Sequence, residues 1–271
     1  MTTNVRPRAL VTGASSGIGT AFAERLAKDG YDLIVVARRR DRLEELAKRL
    51  QESHKVNVEV LTADLSKRDS LLAVEKRIAE ESALEMLVNN AGFGGYMAFV
   101  ELDPDKAEEL INLQVLATAR LTRAALPGMV KRGSGSIINV SSRLAFSGSL
   151  GSSQMPKRAT YAGTKAFINT FSQLVQSELE GTGVQIQALC PGVTRTEFHT
   201  VQGIDPNRYP AAIVMSPEDV VSASLAGLKL GEVICVPALE DVNLLTKIHE
   251  DERKFSETSR TGSVAQRYRS R

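Results

Sequence analysis

Residues 8–19 read RALVTGASSGIG, an apolar strand that runs directly into a turn containing three glycines. Apolar residues then recur at helical spacing over residues 17–29, and Gly30 ends this segment. Glycines in such a turn let the backbone approach a pyrophosphate, and the following helix offers free N–H groups and the positive end of its dipole. The stretch therefore predicts a dinucleotide-phosphate site formed by Gly13, Ser15, Ser16, Gly17, Ile18 and Gly19.

The rest of the chain repeats the alternation of short apolar runs and longer amphipathic segments. Besides residues 8–12, the runs that we predict as strands are 32–37, 56–62, 86–89, 136–140, 184–190 and 233–236. Parallel strands need crossover connections, and right-handed crossovers place helices on both faces of the sheet. We therefore predict the α/β class, with a doubly wound parallel sheet of seven strands, a Rossmann fold.

The composition is typical of one globular domain spanning residues 1–271, with 42% hydrophobic and 24% charged residues. A formal net charge of +2 is too small to predict nucleic-acid binding. The N-terminal residues lack the apolar stretch of a signal peptide, and no apolar run is long enough to span a bilayer. We therefore expect a soluble, cytoplasmic protein.

The cysteine and histidine residues do not suggest a disulfide or a metal site. Cys190 and Cys235 lie within apolar runs, which favours two buried thiols. The three histidines are scattered and show no metal-ligand spacing with each other or with the cysteines, so no metal is expected.

Two segments late in the chain are interpreted separately. Residues 194–216 contain Gly203, Pro206 and Pro210, and we expect them to form a lid over a substrate. Residues 247–271 are polar and basic. We expect this tail to form a solvated helix with a frayed end.

The end of the second predicted strand indicates which dinucleotide is bound. An acidic residue at this point would accept hydrogen bonds from the adenosine ribose and favour NAD. Here the strand ends at Ala37 and is followed by Arg38, Arg39 and Arg40. A guanidinium can clamp a 2′-phosphate through paired, charge-assisted hydrogen bonds, so we predict NADP(H), held mainly by Arg38 and secondarily by Arg39. The alternative is a solvated charge run that opens a helix.

Tyr161 and Lys165 lie at positions i and i+4 of a predicted helix over residues 160–180, so they share a face. A free tyrosine has a pKa of about 10, which is too high for efficient acid–base chemistry at neutral pH. A neighbouring ammonium and an oxidised nicotinamide would both favour the phenolate. Tyr161 is therefore a candidate to donate a proton to a carbonyl oxygen as hydride arrives, or to accept one in reverse.

Five motifs in this order resemble those of the short-chain dehydrogenase/reductase family, in its short soluble branch. They are residues 12–19, 64–65, 89–92, 161–165 and 191–192, and the resemblance extends over about residues 6–240. It implies a carbonyl–alcohol oxidoreductase that is a homodimer or homotetramer built on the helices that we predict over residues 104–130 and 160–180. Non-catalytic binding of NADP(H), as a sensor or scaffold, is the alternative.

The resemblance also implies roles for individual residues. Asp64 and Leu65 would contact the adenine, and Asn90, Ala91 and Gly92 would line the cofactor. Pro191, Gly192, Val193 and Thr194 would meet the nicotinamide amide. Ser142 would hold the substrate carbonyl, and Lys165 would also bind the nicotinamide ribose.

The chain departs from the family pattern where a catalytic asparagine is usual. Aligning the helix by residues 120–127 places Gln114 at that position. The family's asparagine organises a water next to the lysine, and glutamine offers the same amide one methylene further out. We therefore expect Gln114 to support proton relay more slowly than asparagine would. Asn112 is the alternative, but two residues away it faces elsewhere on a helix.

A second departure is the interval between Ser142 and Tyr161, which lie 19 residues apart. This is longer than usual in the family, and the extra length falls in residues 147–158. We expect an enlarged loop beside the substrate mouth. Ser147 and Ser149 lie nearer to Tyr161 in sequence and are alternatives to Ser142, which we prefer because the strand before it fits.

Candidate walls of the substrate pocket are mostly apolar. They are Phe93, Tyr96, Leu144, Phe146, Phe198, Ile204, Tyr209, Ile213 and Met215. This set predicts a lipophilic small-molecule ketone or alcohol, although ordinary core and lid packing would give the same pattern. Reduction is favoured over oxidation only because NADPH usually serves as a reductant.

Overall fold

The computed structural model describes residues 6–150, 157–200, 205 and 209–269. The strands are β1 (Arg8–Thr12), β2 (Asp32–Ala37), β3 (Val58–Thr62), β4 (Leu84–Asn89), β5 (Gly135–Val140), β6 (Val184–Leu189), β7 (Val193–Thr194), β8 (Val214–Met215) and β9 (Ile234–Cys235). The α-helices are α1 (Gly17–Lys28), α2 (Arg40–His54), α3 (Arg68–Ala79), α4 (Pro104–Ile111), α5 (Ala117–Arg132), α6 (Ala159–Glu178), α7 (Glu197–Thr200), α8 (Pro217–Lys229) and α9 (Asn243–Ser259).

Seven of these strands form one parallel sheet in the order β3-β2-β1-β4-β5-β6-β9. The chain builds outward from β1 in one direction, and then returns to place β4 on the other side of β1. This reversal opens a crevice at the carboxyl ends of β1 and β4, where ligands bind in doubly wound folds. The predicted fold class and strand number are confirmed.

Strand β2 shows why the sheet needs helices on both faces. All six of its residues are buried, and successive side chains point to opposite faces. Leu33 and Val35 join a core with α1, α2 and α8, whereas Ile34 and Val36 join a second core with α3 and α5. The continuous apolar run is therefore required by two separate cores rather than one.

The helix predicted over residues 104–130 is interrupted. Residues Asn112–Leu116 form a π-helical turn between α4 and α5. Such a turn inserts one extra residue into the helix and so changes which side chains face inward after it. Hydrophobic periodicity does not register a single inserted residue, which is why the sequence predicted one long helix.

The segment predicted as an irregular lid contains regular structure at both ends. Strands β7 and β8, which lie 20 residues apart in the chain, pair in parallel through Val193 with Val214 and Thr194 with Met215. Two-residue strands are too short to produce a periodic pattern, so the sequence could not indicate this pair. Ile204, Gly203 and Pro206 lie outside the described residues.

Contacts within the chain divide it into two compact units, residues 1–237 and residues 238–271. The second unit consists of α9 and a short 3₁₀ turn, Gln266–Tyr268. Helix α9 begins at Asn243, a little before the predicted tail, and buries none of its residues. In the part of the chain that the structure describes, no helix is both long and apolar enough to cross a bilayer.

Candidate active site

A cavity of about 540 Å³ lies along the carboxyl edge of the sheet. Its lining residues follow directly after the strands: Gly13 after β1, Arg38 after β2, Asn90 after β4, Ser141 after β5. The predicted site residues that line it are Gly13, Ser15, Ser16, Gly17, Ile18, Arg38, Arg39, Asp64, Leu65, Asn90, Ala91, Gly92, Ser142, Tyr161, Lys165, Pro191, Gly192, Val193 and Thr194. Two others, Gly19 and Gln114, are buried and do not line it.

The glycine turn is shaped by close backbone approach. Gly13 has a φ of 66°, and an added Cβ would lie 2.7 Å from Asn90 Nδ2. Gly17 has a φ of 58°, and a Cβ there would lie 2.8 Å from the methyl of Thr196. A side chain at either position would be strained and would collide, so both must be glycine. Asn90 Nδ2 also donates to the Thr12 carbonyl at 2.9 Å, which braces the turn from behind.

The two arginines predicted to hold a 2′-phosphate lie differently. Arg39 reaches back to the glycine turn, where its Nη2 donates to Ser15 Oγ at 3.0 Å and to Ser16 Oγ at 2.8 Å. Arg38 is more exposed and pairs with Glu109 of α4 at 3.5 Å. The structure thus brings Arg39, not Arg38, together with the predicted phosphate site. Arg39 also donates to Glu197 at 2.9 Å.

The reacting end of the cavity is formed by three buried side chains, Ser142, Tyr161 and Lys165. Lys165 Nζ donates to the Val140 carbonyl at 2.8 Å and lies 5.6 Å from the centroid of the Tyr161 ring. The Ser142 hydroxyl lies close enough to the Tyr161 phenol to lower its pKa. The i, i+4 spacing on α6 therefore brings tyrosine and lysine together as predicted, with Ser142 supplied by the end of β5.

Burial controls the ionisation of this pair in the protein alone. It raises the pKa of Tyr161 above its usual value, and the hydrogen bond to Ser142 offsets this only partly. Burial also lowers the pKa of Lys165 to about 7. The sequence-based expectation of a lowered Tyr161 pKa is therefore not met without the positive charge of an oxidised nicotinamide.

Gln114 lies in the π-helical turn with its side chain buried. Its Nε2 donates to the Phe93 carbonyl at 2.5 Å, and its Oε1 accepts a hydrogen bond from Thr164 Oγ1 at 2.8 Å. Asn112, the alternative, is half-exposed and lies 3.4 Å from Glu108. Gln114 thus contacts the neighbour of Lys165 in the chain, and its amide is directed at the Phe93 loop instead of the cavity.

The serine alternatives lie away from the reacting end. The Ser147 hydroxyl donates to the Leu144 carbonyl at 2.6 Å, and Ser149 is exposed. Ser142 instead caps a 3₁₀ turn, Arg143–Phe146, where its Oγ accepts from Leu144 N at 3.1 Å. In the enlarged loop, residues 151–156 lie outside the described residues.

Aromatic rings surround Tyr161. The Tyr96 ring centroid lies 5.6 Å from that of Tyr161, and the Phe198 centroid lies 6.0 Å away. The predicted wall residues that line the cavity are Phe93, Tyr96, Leu144, Phe198, Tyr209 and Ile213. Phe146 does not line it, and Met215 packs against the core with α1, α2 and α8.

A family model described as short chain dehydrogenase matches residues 7–206. The chain belongs to the short-chain dehydrogenase family. This finding confirms the family resemblance drawn from the five motifs. It also supports the assignment of the chain as an oxidoreductase.

Solved and curated relatives agree with this assignment. A short-chain dehydrogenase from Sphingobium yanoikuyae in complex with NADPH is 37% identical, with a TM-score of 0.91 over 97% of this chain and 100% of that one. The bulky-bulky ketone specific alcohol dehydrogenase from Comamonas testosteroni is 34% identical, with a TM-score of 0.87 over 97% and 99%. Very-long-chain 3-oxoacyl-CoA reductase-B from Danio rerio is 31% identical over 82% of this chain and 68% of its own length.

Among the cavity-lining residues of this short-chain dehydrogenase that were not predicted are Arg158, Thr196 and Glu197. Arg158 caps the start of α6 and lies over the Tyr96 ring at 5.2 Å. Thr196 and Glu197 belong to the segment that was expected to be a lid. Glu197 contacts Arg39 and Arg42, which lie far away in the chain, so no local pattern could have indicated it.

The ionisation of Lys165 predicts how stability depends on pH. Between its folded pKa of about 7 and its usual value of 10.5, the unfolded chain binds a proton that the folded protein does not. Raising the pH therefore favours folding. From about pH 7.5 to 9.5, the free energy of unfolding of the wild type, relative to Lys165→Met, should rise by up to about 1.4 kcal/mol per pH unit.

Urea unfolding at several pH values measures this difference. Lys131→Met, at an exposed lysine of α5, is the matched control and should give a constant difference across the same range. A constant difference for Lys165→Met as well would mean that the buried amine keeps its proton in the folded protein.

Proposed function

We propose that this short-chain dehydrogenase is an NADP(H)-dependent oxidoreductase that interconverts a carbonyl and an alcohol on a lipophilic small molecule. The observation that carries the proposal is the buried set of Ser142, Tyr161 and Lys165 at one end of a cavity whose other end holds Arg39 and two serine hydroxyls. NADP(H) would match both ends of this cavity, since it carries a hydride for the reacting end and a 2′-phosphate for the arginine end.

The residues present fit such a cofactor. The positions of Gly13 and Gly17 leave no room for a Cβ, which keeps the turn open to a pyrophosphate. Arg39, Ser15 and Ser16 would hold the 2′-phosphate, with Arg38 beside the adenosine. The other holding residues would be Ile18, Asp64, Leu65, Asn90, Ala91, Gly92, Lys165, Pro191, Gly192, Val193 and Thr194. The relative from Sphingobium yanoikuyae, described in complex with NADPH, supports this choice.

When bound, NADPH would supply hydride for the carbonyl carbon, and the proton would come from the chain. In reduction, Ser142 Oγ donates a hydrogen bond to the carbonyl oxygen, and Tyr161 Oη gives that oxygen its proton. The Lys165 amine lies close enough to stabilise the phenolate that this leaves. Gln114 is a positioning residue in this scheme, because it holds the Phe93 loop against α6 without facing the cavity.

The walls favour a bulky, apolar substrate. Tyr96, Phe198 and Leu144 pack around Tyr161 and exclude water from the reacting atoms. Related proteins whose names mention a bulky ketone and a very-long-chain 3-oxoacyl group agree with a large pocket. We propose that the described ends of the segment 194–216 cover this substrate, since Phe198 and Ile213 both line the cavity.

The same proposal includes assembly into a homodimer or homotetramer through α5 and α6. Leu174 is 60% exposed on α6, and Phe167 and Phe171 stack on the same helix at a centroid distance of 5.5 Å. An unpartnered apolar face of this kind is commonly covered in an oligomer. Sedimentation of the purified protein would give its assembly state.

Replacing Tyr161 with phenylalanine removes the proton donor and keeps the ring. With NADPH and a bulky aryl ketone, we expect the turnover number of Tyr161→Phe to fall by about 10²–10⁴-fold, because general acid catalysis is lost. NADPH binding should be unchanged. Turnover is measured by the loss of NADPH absorbance, and binding by calorimetry. Wild-type turnover that survives in the variant would contradict the role of Tyr161, whereas NADPH binding without wild-type turnover would favour a non-catalytic sensor.

The arginine run offers a test variant and a matched control for binding of the 2′-phosphate. Arg39→Ala should weaken NADPH binding by about 10- to 100-fold, since a charge-assisted hydrogen bond contributes about 1.5–3 kcal/mol. NADH binding should not change. Arg40→Ala, at an exposed neighbour that pairs only locally with Glu44, should affect neither cofactor. Equal losses for NADPH and NADH in Arg39→Ala would show that this arginine does not select the phosphate.

A further inference from the structure

Glu197 is the first residue of α7 and accepts hydrogen bonds from two arginines at the start of α2, of which Arg39 also contacts the glycine turn. Arg39 Nη1 donates to its Oε2 at 2.9 Å, and Arg42 Nη1 lies 2.7 Å from both of its carboxylate oxygens. The hydrogen bonds from Arg42 and Arg39 lower the pKa of Glu197, so it is anionic at neutral pH. One carboxylate thus neutralises two arginines from the start of α2.

These contacts place Glu197 on the group that the proposed function assigns to the 2′-phosphate. The remaining donors of Arg39 are used by Ser15 and Ser16, which line the cavity together with Glu197. Arginines that converge on one oxyanion, with hydroxyls beside them, form a site for a phosphate as well as for a carboxylate. The carboxylate carries one negative charge, whereas a phosphate monoester carries a charge of about −1.5 to −2 at pH 7.

The next residue in the chain is at the other end of the cavity. Phe198 packs against the ring of Tyr161 at 6.0 Å and against that of Tyr96 at 6.4 Å between centroids. Glu197 and Phe198 are adjacent in a single helical turn, so the arginine pair and the aromatic cluster hold neighbouring residues of α7. Because Glu197 and Phe198 are consecutive residues, a displacement of one also displaces the other.

We infer that Glu197 is an internal ligand of the 2′-phosphate site, which the phosphate of NADP(H) displaces from Arg39 and Arg42. The inference rests on the proposed function. It makes Glu197 and Arg42 determinants of cofactor selectivity, because NAD(H) leaves the carboxylate in place. It also links cofactor identity to Phe198, since displaced Glu197 no longer holds the start of α7.

The side chains of the three charged residues are 41–46% exposed, so each ion pair is weak and the phosphate can replace the carboxylate. If Glu197 competes, removing its charge must strengthen phosphate binding. If it only orients the arginines, removing its charge must weaken binding. The sign of the effect therefore separates the two roles.

The test uses two nucleotide fragments, adenosine 2′,5′-bisphosphate and 5′-AMP, titrated by calorimetry into the purified full-length chain. In Glu197→Gln we expect the dissociation constant of the bisphosphate to fall by about threefold to tenfold, with that of 5′-AMP unchanged. Glu44→Gln removes one carboxylate from the same helix as Arg42, where it pairs with Arg40, and should change neither. A bisphosphate affinity that stays equal or weakens in Glu197→Gln overturns the inference.

The same titration distinguishes failure of this inference from failure of the proposed NADP(H) selectivity. Wild type that prefers the bisphosphate, with no gain in Glu197→Gln, overturns the role of Glu197 alone. Wild type without a preference overturns the proposed NADP(H) selectivity. In that case a preference that emerges in Glu197→Gln still supports the internal ligand, and its absence overturns both.

A second readout follows the aromatic end. The chain contains no tryptophan, so Phe198→Trp introduces a single reporter next to Tyr161. Adenosine 2′,5′-bisphosphate should shift its emission, whereas 5′-AMP should not, although neither fragment carries a nicotinamide. The double variant with Glu197→Gln should show the shifted emission before any ligand is added. An emission that is the same in all these states overturns the link to Phe198.

Discussion

The hydrogen bond from Lys165 Nζ to the Val140 carbonyl is the constraint on which the reacting end of the cavity depends. Val140 ends β5, and the two residues after it also hold α6. Ser141 Oγ donates to the Lys165 carbonyl at 2.9 Å, and the Ser142 hydroxyl lies close enough to the Tyr161 phenol to lower its pKa. Three consecutive residues at one strand end thus position the side chain and the backbone of the lysine, and the phenol one helical turn away.

This arrangement explains why both groups can be buried. A buried amine without a hydrogen-bond acceptor is costly, and here the Val140 carbonyl accepts a hydrogen bond from the amine whether or not the amine is charged. Burial lowers the pKa of Lys165 to about 7, so a small change in local charge can switch its protonation near neutral pH. The same burial raises the pKa of Tyr161 and keeps its proton in place until charge develops beside it.

The arginine end of the cavity differs from the reacting end in its exposure to solvent. Its charged side chains are partly exposed, so the ion pairs there are weak and exchangeable, whereas the polar groups at the reacting end are fixed by burial. Weak pairs suit a site that must release its own carboxylate to accept a phosphate. The two ends meet in α7, where Glu197 faces the arginines and Phe198 faces Tyr161.

Much of the fold and of the candidate site followed from local patterns in the sequence. The apolar run of β2, the glycine turn and the Tyr161–Lys165 spacing each depend on neighbouring residues, and the structure places all three as expected. The π-helical turn was missed because one inserted residue leaves hydrophobic periodicity nearly unchanged, and it directs the Gln114 amide to Phe93.

The relative roles of the arginines depend on contacts that sequence does not contain. Adjacent residues on an extended segment point in opposite directions, so the run could not reveal that Arg39 would face the glycine turn and Arg38 would face α4. Glu197 reaches Arg42 across 155 positions of the chain, beyond any local pattern.

The role of Tyr161 as acid and base is tested most directly by titrating its phenol. The ultraviolet absorbance of tyrosinate is followed against pH as the difference between wild type and Tyr161→Phe, with and without saturating NADP⁺. In the protein alone, ionisation should begin above the ordinary tyrosine pKa of about 10, because burial disfavours the phenolate. With NADP⁺ it should move below that value, since a positively charged nicotinamide bound in the cavity would favour the phenolate. Ionisation at the same pH in both states would contradict the assignment of Tyr161 as the cofactor-controlled proton donor.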